Sequence, residues 1–452
     1  GPNYNIPMLP DRARAAWEAL QKAQAAAPKA TPVEQALIKA LAARYKGPDP
    51  LDPVAMQPQQ VAFAAAMGEV AKRYPADLDL QTLHAEALMT ANPWRLWSLD
   101  GKPAPGTREI VAILEGVMKR DPQHPGANHY YIHAVEASPD PGKALAAAQR
   151  TGALMPAAGH LVHMPAHIFQ RVGQYDAAAL ANREGAAVDE RYMKTVAPLG
   201  YYPVYLAHNY DFLAYSAAMQ GQRVEAMRAA RDAAKAFPDD IARGIPGMDF
   251  YLARPYFVLL RFGEWQKMLD EPAPPETFAV QTGLYRFARA YAQAALGQLE
   301  PARTALKPLD DYGARLPPDL TAGLNSARDL MAVAVELLAA RIAQSEGNRA
   351  AAIRHLRAAV QREDRLAYAE PADWFFPVRH LLGAELLRAG SPRTAEKVFR
   401  EDLRRTPGNG WALYGLTQSL EAQNRTKDAA ASRKRFETAW ARADVPLAAA
   451  AY

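Results

Sequence analysis

Apolar residues recur along this chain at intervals of three and four, as in VEQALIKALAARY (33–45) and WALYGLTQSL (411–420). That spacing keeps one face of a 3.6-residue helix apolar and leaves the other wet. Alternating apolar and polar runs, the signature of a half-buried strand, are missing. β-Branched residues are sparse and alanine is abundant. The pattern predicts an all-α chain with no sheet of consequence.

A second, longer period lies over the first. The segments RVGQYDAAALANREGAAV (171–188), AMQGQRVEAMRAARDAAKAFP (218–238), AALGQLEPARTALKPL (294–309), QSEGNRAAAIRHLRAAV (344–360) and LRAGSPRTAEKVFREDLRRTP (387–407) align in phase, and RFGEWQKML (261–269) is a poorer copy. Gly173, Gly221, Gly297, Gly347 and Gly390 end one helix. Ala178, Ala226, Ala302, Ala352 and Ala395 stand five residues later, where a small side chain lets two helices approach. Pro156, Pro238 and Pro407 stop the second helix. This pattern, about 34 residues long, resembles the tetratricopeptide repeat (TPR), with glycine at position 15, the small residue at 20 and proline at 32. The resemblance covers roughly residues 30–442. It implies a right-handed superhelical solenoid of antiparallel helix pairs whose first (A) helices line the concave face. The reading is one solenoid over 1–452, with N-terminal repeats over 30–125, His-rich central repeats over 126–240 and C-terminal repeats over 241–442. Four Pro/Gly/Trp-rich stretches interrupt it: 92–107, 189–203, 243–250 and 271–277. Such insertions gather on one face of a solenoid, often the binding face.

Three of the ten histidines fall within GHLVHMPAHIF (159–169). With Gly173 at position 15 of its repeat, His160, His163 and His167 take positions 2, 5 and 9, which in TPR proteins face the concave groove. One repeat earlier, NHYYIHAVEAS places His129 and His133 at 5 and 9 and Glu136 at 12. One repeat later, AHNYDFLAYSAAMQG places His208, Asp211 and Tyr215 at 2, 5 and 9. Residues four apart share a helix face, so the imidazoles of successive A helices are expected to converge. Imidazole and carboxylate without thiolate suit zinc, copper, iron or nickel rather than calcium or magnesium. The expected metal ligands are His129, His133, Glu136, His160, His163, His167 and His208. Glu136, Asp211 and Tyr215 are the candidate catalytic groups, and Tyr131, Tyr192, Tyr201, Tyr202 and Tyr210 are candidates for orienting ligands or substrate. Pro165 is expected to open the A helix near His163 and leave His160 on the approach loop. The competing reading is a metal-free groove that binds a peptide or partner protein, the commonest use of this fold.

The remaining histidines read more plainly. His84, His124 and His355 fit ordinary core or surface positions, and His380 a groove-facing polar one. Trp94 and Trp97 in the first insertion pack as a lid or wall a ligand pocket. Charge adds little: 53 basic and 48 acidic residues are interspersed, without the basic run that nucleic acid would call for. Cysteine is absent, so disulfides and cysteine nucleophiles are excluded within this chain. No apolar run reaches the roughly 18 residues of a membrane span. The motifs GxSxG, GxGxxG and HExxH are absent.

HYYIHAVEAS, GHLVHMPAHIFQRVGQY and PVRHLLGAELL together look like a group of bacterial TPR proteins known chiefly by their repeats. The resemblance implies a fold rather than an activity. Location is left open between the bacterial periplasm and cytoplasm, the periplasm slightly favoured. The opening GPNYNIPML resembles an interior stretch of such proteins, so a preceding segment with further repeats or a targeting signal is expected.

Overall fold

The computed structural model describes residues 3–4, 8, 10–195 and 202–452, with backbone alone at Pro10 and Asp11. The chain forms two compact units, Gly1–Met155 and Pro156–Tyr452. Among the described residues the only strands are the two-residue pair Thr321–Ala322 and Asn325–Ser326, so the chain is all-α, as the apolar spacing predicts. No described helix is long and apolar enough to cross a membrane.

In the first unit, Pro32–Ala42, Pro53–Arg73, Leu78–Thr90, Thr107–Arg120, Pro125–Val135 and Leu145–Leu154 each pack on the next. Several open on sequence-encoded caps. Thr31 and Glu34 form a reciprocal capping box, and Asp52 and Asp77 accept amide hydrogens of the first turn. The insertion 92–107 folds back on this unit. Trp97 Nε1 donates to the Ala134 carbonyl at 2.8 Å, while Trp94 lies against Tyr4 and His133. Both tryptophans therefore pack.

The second unit is the regular one. Its helix pairs are Pro165–Arg171 with Tyr175–Thr195, Tyr202–Met219 with Arg223–Ala236, Arg254–Arg261 with Trp265–Asp270, Ala279–Ala295 with Leu299–Arg315, Ala327–Ser345 with Arg349–Glu363, Val378–Arg388 with Pro392–Arg405, and Gly410–Glu421 with Thr426–Ala439. The insertion 243–250 is largely helical, contributing to Asp239–Gly244 and Met248–Ala253. At Gly173 the first helix of a pair ends with φ +82°, and the Gln174 amide closes on the Phe169 carbonyl at 2.7 Å. This left-handed closure satisfies orphan carbonyls, and a side chain resists it. The same turn recurs at Gly221, Gly263, Gly297, Gly347 and Gly390, and Asn424 takes the role in the last pair. Ala178, Ala226, Ala302, Ala352 and Ala395 are all 0% exposed, as close helix contact requires.

Two features of this unit were not expected. The first is closure of the row of repeats. Trp411 Nε1 donates to the Ala218 carbonyl at 2.8 Å, and the Asp444 carboxylate accepts the Arg223 and Val224 amides at 2.8 and 2.9 Å. Asp444 thus caps a helix more than two hundred residues before it. The second is a strap, residues 364–377. Its Trp374, Phe375 and Phe376 are buried against the A helices: Phe375 meets Tyr215 and Phe257, and Trp374 meets Phe257 and Phe287. Asp373 anchors the strap by accepting the Leu324 amide at 2.9 Å and Asn325 Nδ2 at 2.7 Å. The inward positions 5 and 9 of these repeats, expected as an open groove, are covered by the chain itself.

The turn geometry gives a graded prediction. A Cβ at Gly390 meets nothing within 4 Å, whereas one at Gly173 falls 2.4 Å from the Pro407 carbonyl oxygen. Gly390→Ala should cost about 1 kcal/mol, the strain of a left-handed alanine. Gly173→Ala should cost clearly more. Urea midpoints check the order; equal losses, or a larger loss at Gly390, would refute it.

Candidate metal centre

The two HxxxH pairs lie one in each unit. In the first, His129 and His133 share a face of Pro125–Val135, their ring centroids 5.0 Å apart. His133 is buried beneath Tyr4 and Trp94, and its Nδ1 lies 3.1 Å from Glu136 Oε1. Glu136 is the C-cap residue of that helix, one turn beyond His133, and it is buried too. Tyr131, on the same helix, turns away and donates to Glu115 at 2.7 Å.

In the second unit the helix is already formed at His160. Gly159–His163 is helical, Met164 keeps helical dihedrals, and Pro165–Arg171 follows. Pro165 lacks an amide hydrogen, so it interrupts the hydrogen-bond ladder without unwinding the chain. His160 therefore belongs to a helical turn rather than to the approach loop. Gly159 and Gly185 let this turn lie tightly on the next helix: a Cβ at Gly185 would fall 2.9 Å from His163 Cβ, and one at Gly159 would strike the Asp189 carboxylate.

His163, His167 and His208 form the densest cluster of this unit. One ring nitrogen of each lies within 4.8 Å of the others; His163 and His167 are buried and His208 is half-buried. The Phe212 ring backs all three. Asn182 Nδ2 donates to the Ala178 carbonyl at 2.7 Å, so its Oδ1 faces His163 Nδ1 at 2.8 Å. His163 Nδ1 therefore carries the proton, and its Nε2 carries a lone pair. On the other side, His167 Nδ1 lies 2.7 Å from Glu370 Oε2, both side chains being almost fully buried. That charge contact lacks the alignment of a hydrogen bond, but a carboxylate so close still favours a proton on Nδ1 of His167. The two Nε2 atoms then face each other at 2.9 Å. Two lone pairs so close repel unless a cation joins them. Nitrogens about 2.1 Å from one ion stand about 3.0 Å apart at a right angle and about 3.4 Å apart at the tetrahedral angle. Burial, reinforced by the neighbouring imidazoles, holds the His163 pKa well below its ordinary 6.5, which keeps the ring neutral as a ligand must be.

His208 sits where the repeat grid suggested Asp211. Asp211 instead turns to Arg254, 2.8 Å away, in an ion pair whose side chains are each 1% exposed. Burial raises its carboxyl pKa and the guanidinium opposes the rise. Tyr215 is buried against Phe375, and burial raises its phenol pKa. Neither reaches the histidine cluster, because the next repeat and the strap hold both. His160 stands beside the cluster, its ring 5.8 Å from His163 and 5.0 Å from Tyr205. Tyr202 donates to Asp189 at 2.7 Å and lies tilted against Tyr192, while Tyr210 donates to Glu190. Tyr201 lies outside the described residues.

The other histidines have local tasks. His124 caps Pro125–Val135 by accepting the Ala127 amide, and His355 pairs with Glu336. His84 lines a groove of about 610 Å³ in the first unit, and burial lowers its pKa. His380 is not groove-facing. It is fully buried and bonds Asp402 at 2.8 Å, where Asn409 and Thr406 complete the carboxylate's partners. Glu370 and Asn182 are the site residues that the repeat grid does not reveal. Asn182 lies on the second helix of its pair, and Glu370 on the strap some two hundred residues from His167.

No family model and no curated protein matches the chain. Among solved structures, the human IFIT1 dimer with m7Gppp-AAAA aligns over 95% of this chain and 86% of its own, at 12% identity and a TM-score of 0.39. The APC/C hetero-tetramer Cut9–Hcn1 aligns over 86% and 92%, at 10% identity and 0.28. Naa15/Naa10 bound to HypK-THB aligns over 91% and 75%, at 13% identity and 0.24. The likeness is one of TPR-like helical repeats and carries nothing about function.

Asp189 supplies a pH prediction. Burial raises its pKa from 3.8 to about 6, against the bonds from Tyr202 and Asn209. A carboxyl raised on folding stabilises the fold at low pH, and that contribution is lost as pH rises from about 4 through 6. Wild-type stability should therefore fall relative to Asp189→Asn between about pH 4 and 7. Urea midpoints across that range would show it; a gap that does not change with pH would contradict it.

Proposed function

We propose that this helical-repeat protein binds a transition metal ion at His163, His167 and His208, with zinc, copper and iron as the candidate ions. The observation that carries the reading is the 2.9 Å approach of the two Nε2 atoms, with His163 Nδ1 bonded to Asn182 and His167 Nδ1 in charge contact with the Glu370 carboxylate at 2.7 Å. Three neutral imidazoles are a common ligand set for catalytic zinc, which keeps a further position for water or substrate. His160 is a further donor beside the cluster. In the first unit, His129, His133 and Glu136 are donors of the same chemistry.

The centre is proposed to be catalytic rather than structural. Stacking of each repeat on its neighbours already stabilises a solenoid, so a metal is not needed for folding. An ion bound there would supply Lewis acidity and bring bound water towards neutral pKa. Half-buried His208 marks the side from which a small molecule or peptide end reaches the centre. Asp211 is held by Arg254 and Tyr215 by Phe375, so neither is proposed as the general base of this centre.

One observation favours a second reading. A single proton between the two Nε2 atoms, balanced by Glu370, would also satisfy the 2.9 Å contact. The protein would then be a metal-free interaction scaffold. In the second unit, however, a peptide in the groove would first have to displace Trp374 and Phe375 from the A helices.

Calorimetric titration with zinc decides between them. Metal binding predicts saturable uptake that is weakened at least about 100-fold in the His163→Ala/His167→Ala double variant and unchanged in Tyr215→Phe. Wild-type uptake no greater than that of the double variant would favour the shared proton.

A further inference from the structure

The strap does more than fill the groove. It leaves the helix Arg349–Glu363, crosses the inner positions of three repeats and carries Glu370 to His167. A carboxylate whose side chain is 1% exposed is costly to bury unless it faces a cation or a polarised donor. Glu370 is held there by the strap's own anchors: the Asp373 carboxylate on Leu324 and Asn325, and the Asp373 carbonyl accepting from Arg254 Nη1 at 3.1 Å.

We propose that Glu370 is a positioning residue of the metal centre: it holds the proton on His167 Nδ1, turns Nε2 toward His163, and supplies the negative charge that a dication among neutral imidazoles lacks. This rests on the metal-binding reading and deepens it. Asn182 does the corresponding work for His163, but as a neutral amide it fixes the tautomer without adding charge. A partner on the far nitrogen of a ligating histidine orients the ring and raises its basicity, and its loss typically costs 10- to 100-fold in metal affinity. Glu370 arrives from a segment remote in sequence, so the centre is complete only when the strap is in place.

The test is cobalt(II) binding to the full chain, followed by affinity and by the visible d–d spectrum. Glu370→Ala should weaken binding about 10- to 100-fold and alter the spectrum, because the His167 ring loses its orientation. Glu370→Gln keeps an acceptor for Nδ1–H and should restore the wild-type spectral shape with intermediate affinity. A purely structural role for the strap predicts a lower melting temperature with an unchanged spectrum and affinity in both variants, which would overturn the proposal. If Glu370→Ala fails to fold, Glu370→Gln carries the comparison: wild-type affinity in it would overturn the proposal. Failure of the wild-type protein to bind cobalt would sink the metal reading itself, a result distinct from variants that bind as well as wild type.

Discussion

The close approach of two antiparallel helices across an alanine governs this structure. Five such alanines are wholly buried, each five residues beyond a glycine whose left-handed backbone turns the chain. A larger residue at either point separates the helices or blocks the turn. Once pitch and phase are set, the inward positions of every A helix follow. Polar residues at those positions are then buried because of where the repeat puts them, and each must find a partner.

The second unit shows three ways of meeting that demand. Asp211 is answered by Arg254, an ion pair stable only while both members remain. His380 is answered by Asp402, itself held by Asn409 and Thr406. The His163–His167 pair is answered on its outer nitrogens by Asn182 and Glu370, and its inner nitrogens face each other. Only the last arrangement leaves two donors aimed at one point, which sets it apart as the candidate centre.

Much of this is legible in the residues themselves. The glycine, alanine and proline grid marks the turns and helix ends, because each position answers a local steric requirement. It also brings His163 and His167 onto one face. Contacts made across the repeats are not legible. Asp211 and His208 are three residues apart on one helix; Asp211 meets Arg254 of a later repeat while His208 faces His163, a division that the repeat grid does not reveal. The strap EPADWFFP is not among the four interruptions marked by composition; its aromatic residues find their places through Tyr215, Phe257 and Phe287, far away in sequence. The proline of HMPAH suggests a helix start, yet Met164 keeps helical dihedrals and His160 stays on the helix.

The most direct test of the metal centre is X-ray absorption on protein purified without a metal-affinity column. The account predicts an edge for zinc, copper or iron, with a first shell dominated by imidazole nitrogen near 2.0–2.1 Å that disappears in the His163→Ala/His167→Ala double variant. Protein with no metal edge above background, or with a shell of oxygen alone that is indifferent to those two substitutions, would contradict it.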